Sequence, residues 1–148
     1  MGEQAEISDR DNFDEIIAQI RNENNPTNWI LITYEGPRSK KLKVCGSGEG
    51  GVDEMIQMFK PEGIFFGLVR DFDQIDDSIL TKFAFVEWLG DKSPRLQKAG
   101  VGMQLGAIQN CFGQFHVTHM CSDLDDISAE IIMKKFKNAS GSAVHVLD

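Results

Sequence analysis

The chain has 148 residues, 41% of them hydrophobic, with a formal net charge of −8 and an isoelectric point near 4.8. This composition predicts one globular domain over residues 1–148. It disfavours nucleic acid and anionic membranes as partners and leaves no apolar run of the roughly 20 residues that a membrane-spanning helix needs. Three widely spaced cysteines, and an acidic N-terminal stretch without the apolar core of a signal peptide, indicate reduced thiols in a cytoplasmic protein.

The first third of the chain shows a helical pattern followed by a pair of strands. A helix is expected to begin near Ser8, because a hydroxyl residue followed three positions later by an acid resembles a capping box. Its apolar stripe consists of Phe13, Ile16, Ile17 and Ile20. Residues 29–35 predict a strand, and residues 41–45 return from a turn with alternating side chains, as in an antiparallel hairpin with one face in water.

Residues 46–51 predict a flexible connector into a second helix. The apolar side of that helix consists of Val52, Met55, Ile56 and Phe59. Residues 63–90 then contain two dense apolar runs separated by an acidic linker over residues 71–77. Runs of this kind suit antiparallel strands that are buried on both faces, so the rest of the chain is expected to cover both faces of this central hairpin.

The last third of the chain predicts helix, strand and helix. Ser93 and Pro94 mark the start of a third helix that runs to about Phe112 and is weakened by its glycines. A strand is expected over residues 115–121, and Ser122 is expected to cap a fourth helix. Its core-facing residues are Leu124, Ile127 and Ile131, and a loose tail is expected over residues 138–148.

These elements add up to an α+β fold with five strands and four helices. We expect one mixed five-stranded sheet with an antiparallel central hairpin and helices on both faces. The pattern contains no internal repeat and no linker between domains.

Two motifs suggest chemistry but have competing explanations. Gly46, Gly48 and Gly51 match a dinucleotide-binding fingerprint, with Asp71 at the expected distance. Against this, the strand before the motif alternates, and Glu49 would place a carboxylate beside the phosphates. A second set, Cys111, His116, His119 and Cys121, has ligand types that suit zinc, yet alternation along a strand points the two histidines to opposite faces. We therefore expect no metal, no cofactor and no enzymatic activity.

The remaining functional signal is the placement of positive charge. Four cations lie in a stretch whose only acids are Glu87 and Asp91: Lys82, Lys92, Arg95 and Lys98. Three more cluster near the end of the fourth helix, where the helix dipole also favours them: Lys134, Lys135 and Lys137. Lys82 opens an apolar strand directly after a turn, so we expect it to face solvent and to reach a partner.

Several short segments resemble one known family. They are NW at 28–29, TYEG at 33–36, SGEGG at 47–51, KFAFVEWLG at 82–90, LQKA at 96–99, QN at 109–110 and KNASGSA at 137–143. In these segments and in the order of its elements, the chain resembles the actin-depolymerising factor homology domain, and within that superfamily the coactosins. The resemblance spans nearly the whole chain.

The resemblance implies a cytoskeletal protein of the cytoplasm that binds the side of actin filaments. It places Lys82 on the filament-contacting surface, brings in Arg95 and Lys98 through the third helix, and leaves the lysines of the fourth helix as a further contact. The chain departs from the coactosins at Ile79, Leu80 and Thr81, where basic residues are usual. It also lacks the lysines expected midway along the third helix, where it has Met103, Gln104 and Gly106.

From these features we expect filament binding that weakens as salt rises. We also expect that Lys82→Ala reduces filament binding markedly and leaves the melting temperature almost unchanged. Severing is not expected, because the N-terminal acids Glu3, Glu6, Asp9 and Asp11 and the short third helix disfavour a second contact. The expected state is a monomer without a membrane anchor, and binding to actin monomers is left open. The alternatives are a cofilin-like or glia-maturation-factor-like regulator of actin monomers or branches, and a nucleotide-binding enzyme that uses the glycine loop.

Overall fold

The computed structural model describes the backbone of residues 4–147 and the side chains of residues 4–139. The helices are α1 (Arg10–Arg21), α2 (Gly51–Met55), α3 (Arg95–Phe112) and α4 (Ala129–Leu147). The strands are β1 (Glu6–Ile7), β2 (Trp29–Tyr34), β3 (Lys41–Gly48), β4 (Ile64–Ile75), β5 (Ser78–Leu89) and β6 (Val117–Cys121). Short 3₁₀ turns cover Ile56–Met58 and Leu124–Asp126.

The strands form one mixed sheet in the order β1-β3-β2-β4-β5-β6. The two outer pairs, β1 with β3 and β5 with β6, are parallel, and the inner pairs are antiparallel. The predicted mixed sheet is confirmed, with a sixth strand that the sequence did not indicate. That strand is β1, and its two residues are too few to show a period of two. Ile7 nevertheless pairs with Leu42 and is buried.

Helices cover both faces of the sheet, as the apolar runs of β4 and β5 predicted. On one face α1 and α3 pack over a core that includes Phe13, Ile20, Phe66, Phe85 and Ile108. On the other face α2 and α4 pack over a core that includes Met55, Val69, Trp88, Ile132 and Phe136. Since side chains alternate along a strand, β4 and β5 each contribute to both cores.

The hairpin of β4 and β5 extends beyond the rest of the sheet. β2 pairs with β4 only as far as Val69, and β6 pairs with β5 only from Ala84 onward. Past Arg70 and Phe83, the described backbone pairs the two strands only with each other. Most of the predicted acidic linker over residues 71–77 is therefore strand, and the turn itself is a two-residue loop.

The turn of this hairpin consists of Asp76 and Asp77, between the paired residues Ile75 and Ser78. Asp76 has a φ of 52°, in the left-handed region. Two-residue hairpin loops need positive φ to match the twist of the strands, and aspartate is one of the few residues besides glycine that adopt it readily. The acidic composition thus serves the turn geometry as well as its solvation.

The start of α1 is held by contacts with the sheet and its flanking loop instead of by the predicted cap. Ser8 Oγ donates to Glu35 Oε2 at 2.6 Å, and the N-cap position belongs to Asp9. Asp9 Oδ1 accepts from the backbone N–H of Val44, so it ties the start of α1 to β3. The predicted cap at Ser8 was wrong because a longer-range partner competes for its hydroxyl group.

The last helix differs from its sequence pattern at both ends. The hydroxyl group that caps it is Ser128, whose Oγ accepts from the N–H of Ile131 at 3.1 Å, instead of Ser122. Leu124 is 51% exposed in the preceding turn, so the core-facing residues are Ile127, Ile132 and Phe136. The sequence predicts a loose tail over residues 138–148, whereas the described backbone remains helical through Leu147; residue 148 lies outside the described residues.

Within residues 4–147, none of the helices combines the length and the hydrophobicity that crossing a bilayer requires.

Candidate functional site

One candidate surface surrounds the beginning of α3. A groove of about 590 Å³ lies between the turn that joins β2 to β3 and the first turns of α3. Two of the predicted site residues belong to this region: Arg95 is exposed and Lys98 is half-buried. Leu96, between them, is 90% exposed, so an apolar side chain stands free beside the two cations.

The groove has a rigid floor and wall. Gln97 Nε2 donates to the carbonyl oxygens of Gly36 at 2.8 Å and Ser39 at 2.9 Å, which fixes the turn to the helix. Tyr34 OH donates to Gln104 Oε1 at 2.7 Å, and Gln104 Nε2 donates to the carbonyl oxygen of Lys40 at 3.1 Å. Gln104 is 3% exposed, so the position where a contact lysine was expected is structural here.

The second candidate surface is the projecting hairpin together with α4, and its centre is a buried ion cluster. Asp73 is fully buried and accepts from Lys82 Nζ at 2.7 Å and from Lys137 Nζ at 2.8 Å. Lys82 is 6% exposed. The expectation that Lys82 faces solvent was therefore wrong.

The burial of Lys82 follows from strand register. Lys82 lies opposite Asp71 in the hairpin, and alternation places Asp71, Asp73 and Lys82 on the face that α4 covers. Diagonal neighbours on one face of an antiparallel pair are within reach of a long side chain, so Lys82 reaches Asp73 instead of solvent. A single sequence does not show that Lys82 pairs with an acid nine positions before it.

Charge is partly neutralised at this cluster. The hydrogen bond from Lys137, followed by that from Lys82, lowers the pKa of the Asp73 carboxyl. With both lysines charged, the cluster retains one net positive charge. The exposed part of it is Lys137, whose side chain is 54% exposed. The two lysines and Asp73 therefore fix the hairpin to α4 and present one cation to solvent.

The other two lysines of α4 have different environments. Lys134 is exposed. Lys135 is half-buried, and its Nζ donates to the carbonyl oxygen of Thr118 at 2.7 Å, which fastens α4 to β6. Of the predicted site residues on this surface, Lys134 and Lys137 are thus exposed, but Lys137 Nζ also donates to Asp73 Oδ1 at 2.8 Å and to the carbonyl oxygen of Gln74 at 3.4 Å.

The structure separates the predicted site residues into two groups. Lys82 meets Lys137 through Asp73, with Lys134 and Lys135 on the same helix. Arg95 and Lys98 lie past the far end of β5, because that strand runs from the hairpin turn toward the start of α3. The stretch of β5 from Lys82 to Leu89 alone spans about 23 Å.

A further feature of the hairpin surface is apolar and was not identified from the sequence. Four large apolar side chains near the turn are well exposed: Phe72 (46%), Ile75 (37%), Ile79 (66%) and Leu80 (45%). The signal was present, since Ile79 and Leu80 stand at positions where the resemblance implied basic residues. In the sequence these two residues indicate only a loss of charge, whereas in the fold they add apolar surface.

The glycine loop is an ordered part of the sheet instead of a flexible connector. Gly46 and Gly48 belong to β3. Glu54 Oε1 accepts from Trp29 Nε1 at 2.7 Å and from the N–H of Gly50 at 3.1 Å, and these hydrogen bonds lower the pKa of the Glu54 carboxyl. A side chain at Gly48 would collide with Glu54 and Trp29.

This geometry disfavours the dinucleotide alternative. A phosphate site needs free backbone N–H groups, and here the N–H of Gly50 is bound to a carboxylate. The N–H of Gly51 is bound to Asn28 Oδ1 at 2.9 Å. A phosphate would have to displace both partners and approach the negative charge of Glu54.

The proposed zinc ligands are likewise engaged elsewhere. His116 Nδ1 accepts from the N–H of Phe83 at 3.0 Å, and His119 Nε2 lies 2.7 Å from the carbonyl oxygen of Asp126. In the part of the chain that the structure describes, no cluster of three histidine, cysteine or acidic side chains is placed to hold a metal ion.

Comparison with known proteins identifies the family. The sequence profile of the cofilin/tropomyosin-type actin-binding proteins matches residues 6–137. The chain belongs to this family. Membership confirms the resemblance drawn from the short segments and places the chain in an actin-binding, non-enzymatic class.

Individual relatives agree with this assignment. Coactosin from Dictyostelium discoideum is 30% identical over 131 residues, which cover 88% of this chain and 86% of the relative. Mouse drebrin-like protein is also 30% identical, over 128 residues, but the match covers only 29% of that longer protein. This chain therefore spans less than a third of the drebrin-like relatives that it matches.

Solved structures show that the fold is shared. The crystal structure of coactosin from Entamoeba histolytica superposes with a TM-score of 0.81 at 22% identity, covering 92% of this chain and 96% of that one. The cofilin homology domain of the yeast actin-binding protein ABP1P superposes with a TM-score of 0.74 at 21% identity, covering 88% and 96%.

Proposed function

We propose that this protein binds the side of actin filaments and modulates their dynamics without severing them. Family membership supports actin as the partner. The filament-binding surface is chosen on one observation: the hairpin of β4 and β5 projects beyond the sheet, and Asp73 fixes it to α4. A rigid projection at one end of the sheet is suited to contact a large partner without rearrangement of the core.

The contact on this surface includes the exposed lysines of α4. Lys134 and Lys137 present ammonium groups that suit acidic side chains of a partner. Lys82, which is buried, and Lys135, which is half-buried, act by positioning. Lys137 has both roles, since its side chain is exposed but its ammonium group also donates to Asp73. Exposed ion pairs contribute at most about 1 kcal/mol each, so the lysines orient the partner more than they hold it.

The N-terminal segment and α3 support the absence of severing. By the resemblance, severing requires a strong second contact from the N-terminal segment and the long third helix. Here the acids Glu6 and Asp11 are exposed, while Glu3 lies outside the described residues. The exposed side of α3 includes Gly102 and Gly106, which offer no side chain to a partner.

One observation favours a second candidate function, binding to actin monomers. Leu96 is 90% exposed beside Arg95 and the groove at the start of α3. An exposed apolar side chain next to a basic groove could seat on a single actin subunit without the hairpin. On either candidate, we place the protein as a monomer in the cytoplasm, on the actin cytoskeleton.

Cosedimentation with actin filaments tests the proposal. The parent protein is expected to pellet with filaments, and Lys134→Ala, which leaves the Asp73 cluster intact, is expected to pellet less. Lys43→Ala, which removes an exposed lysine of β3 at the other side of the sheet, is the matched control and is expected to bind like the parent. No pelleting of the parent protein would refute the proposal.

Microscopy of single labelled filaments tests the second half of the proposal. Added protein is expected to leave the frequency of breaks and the rate of subunit loss on dilution unchanged. Breaks or faster loss would place the protein with the severing members of its family. The second candidate is favoured if the parent protein binds labelled actin monomers but does not pellet with filaments, and if Leu96→Ser abolishes the binding to monomers.

A further inference from the structure

We propose that the apolar end of the hairpin, defined as Phe72, Ile75, Ile79 and Leu80, is the principal contact with the filament. Its partner is an apolar recess on the filament, and binding is therefore largely resistant to salt. This inference rests on the proposed function and specifies the chemistry of its main surface. It reverses the expectation that positive charge on the hairpin dominates.

These four side chains lie outside the packed interior of the fold, although the guanidinium group of Arg70 lies over the Phe72 ring, 5.8 Å from its centroid. Neither core of the described residues includes any of them. Their exposed fractions range from 37% for Ile75 to 66% for Ile79. Single exposed apolar residues are common on protein surfaces, but a cluster at the end of a projecting element is typical of an interaction site.

The cluster covers both faces of the projecting hairpin. Register places Phe72 and Ile79 on the face toward α1, and Ile75 and Leu80 on the face toward α4. The hairpin end therefore presents apolar surface on both faces, in the shape of a wedge. A wedge of this kind fits a recess, where both of its faces lose contact with water, better than it fits a flat surface.

The two basic side chains of the hairpin nearest the turn are engaged inside the fold. Lys82 is the basic residue nearest to the turn on β5, and it is buried against Asp73 at 2.7 Å. On the opposite strand, Arg70 is 5% exposed and donates to carbonyl oxygens at the end of α1. Neither cation is available to a partner, so the free surface of the hairpin end is apolar and acidic.

Charge around the wedge gives the complex its orientation. Asp76 and Asp77 are exposed at the turn, and Lys134 and Lys137 lie on the α4 side. A matching recess has an apolar interior, basic groups facing the turn and acidic groups facing α4. The aspartates also protect the unpaired edges of the hairpin from pairing with other chains when no partner is bound.

The test is filament cosedimentation of the full chain across a salt series, with matched threonine variants. Ile79→Thr/Leu80→Thr keeps the strand propensity of the hairpin and removes apolar surface. Met120→Thr/Leu124→Thr is the control, because those side chains are 57% and 51% exposed away from the hairpin. Phe72→Thr, on a different strand, provides a second variant, and melting temperatures confirm that each variant is folded.

We expect the parent protein to lose less than about threefold in affinity between about 0.1 M and 0.4 M salt, since apolar contacts are not screened. We expect Ile79→Thr/Leu80→Thr to weaken binding by about tenfold or more at every salt concentration. Phe72→Thr should weaken binding in the same way, and the control should bind like the parent.

Different results separate the failure of this inference from the failure of the proposed function. If the parent protein pellets but both hairpin variants pellet equally well, the inference is wrong and side-binding stands. If the affinity of the parent protein falls steeply as salt rises, the inference is again wrong and side-binding again stands. If the parent protein does not pellet at any salt concentration, the proposed function fails and the inference fails with it.

A second copy of this chain is the competing occupant of the hairpin end. Sedimentation velocity over a range of protein concentrations measures whether the chain forms a dimer. A monomer at all concentrations agrees with the proposal. A concentration-dependent dimer that Ile79→Thr/Leu80→Thr dissolves, with filament binding unchanged, would overturn it.

Discussion

Replacement of Lys82 by methionine tests the buried ion cluster directly. Methionine keeps the length and most of the apolar stem of lysine but removes the ammonium group. Asp73, whose side chain is fully buried, then retains Lys137 at 2.8 Å as its cationic partner. The variant is therefore expected to fold but to be destabilised, contrary to the sequence-based expectation for Lys82→Ala.

The magnitude follows from the geometry of the cluster. Removing one partner of a buried ion pair typically costs about 3–5 kcal/mol, and losing a hydrogen bond to a charged group costs about 1.5–3 kcal/mol. Because Lys137 still compensates part of the charge of Asp73, we expect the lower range, about 2 kcal/mol. For a domain of this length, that loss lowers the melting temperature by about 4–8 °C.

Thermal unfolding followed by circular dichroism measures the loss, and a double-mutant cycle assigns it. Asp73→Leu together with Lys82→Met removes the buried charges as a pair, so the double variant is expected within about 1 kcal/mol of the parent. Lys134→Met, which replaces an exposed lysine of α4, is the control and should change the free energy of unfolding by less than about 0.5 kcal/mol.

Acid provides a second readout of the same cluster. The folded-state pKa of Asp73 is lowered, so its ion pairs stabilise the fold above the unfolded-state pKa and are lost as pH falls through the folded-state value. The difference in melting temperature between the parent and Lys82→Met is expected to shrink below about pH 4. A Lys82→Met variant that melts within 1 °C of the parent at neutral pH would refute this reasoning.

Two further predictions concern other buried charges. Glu87 is 1% exposed, neither carboxylate oxygen has a hydrogen-bond partner among the described residues, and burial raises the pKa of its carboxyl. Ionised Glu87 therefore destabilises the fold increasingly as pH rises through its folded-state pKa. Glu87→Leu should raise the melting temperature at pH 7 but not near pH 4. An equal gain at both pH values would contradict the assignment of the effect to charge. Arg70 donates to the carbonyl oxygens of Ile20, Asn22 and Asn25, so Arg70→Met should destabilise the fold by about 3 kcal/mol, measured by urea unfolding, and a loss below about 1 kcal/mol would show that water replaces the guanidinium group.

The sequence by itself determined the order of the main elements and the two-sided burial of the central hairpin. Both depend on periodicities and continuous apolar runs that local residues encode, as in the start of α3 after Pro94. The family was also accessible from short segments, because they match at the level of residue identity. A local pattern was insufficient for β1, whose two residues are defined by their partner in β3.

Only the tertiary structure decided which charged residues are available to a partner. In the sequence, the position of Lys82 after a turn predicts the same exposure as for Lys134. Pairing across the hairpin instead buries Lys82 against Asp73, while Lys134 stays in solvent. In the same way, Ile79 appears as a missing cation in the sequence and as the most exposed side chain of an apolar wedge in the fold. Exposure depends on what packs across a strand or against a helix, and those neighbours are distant along the chain.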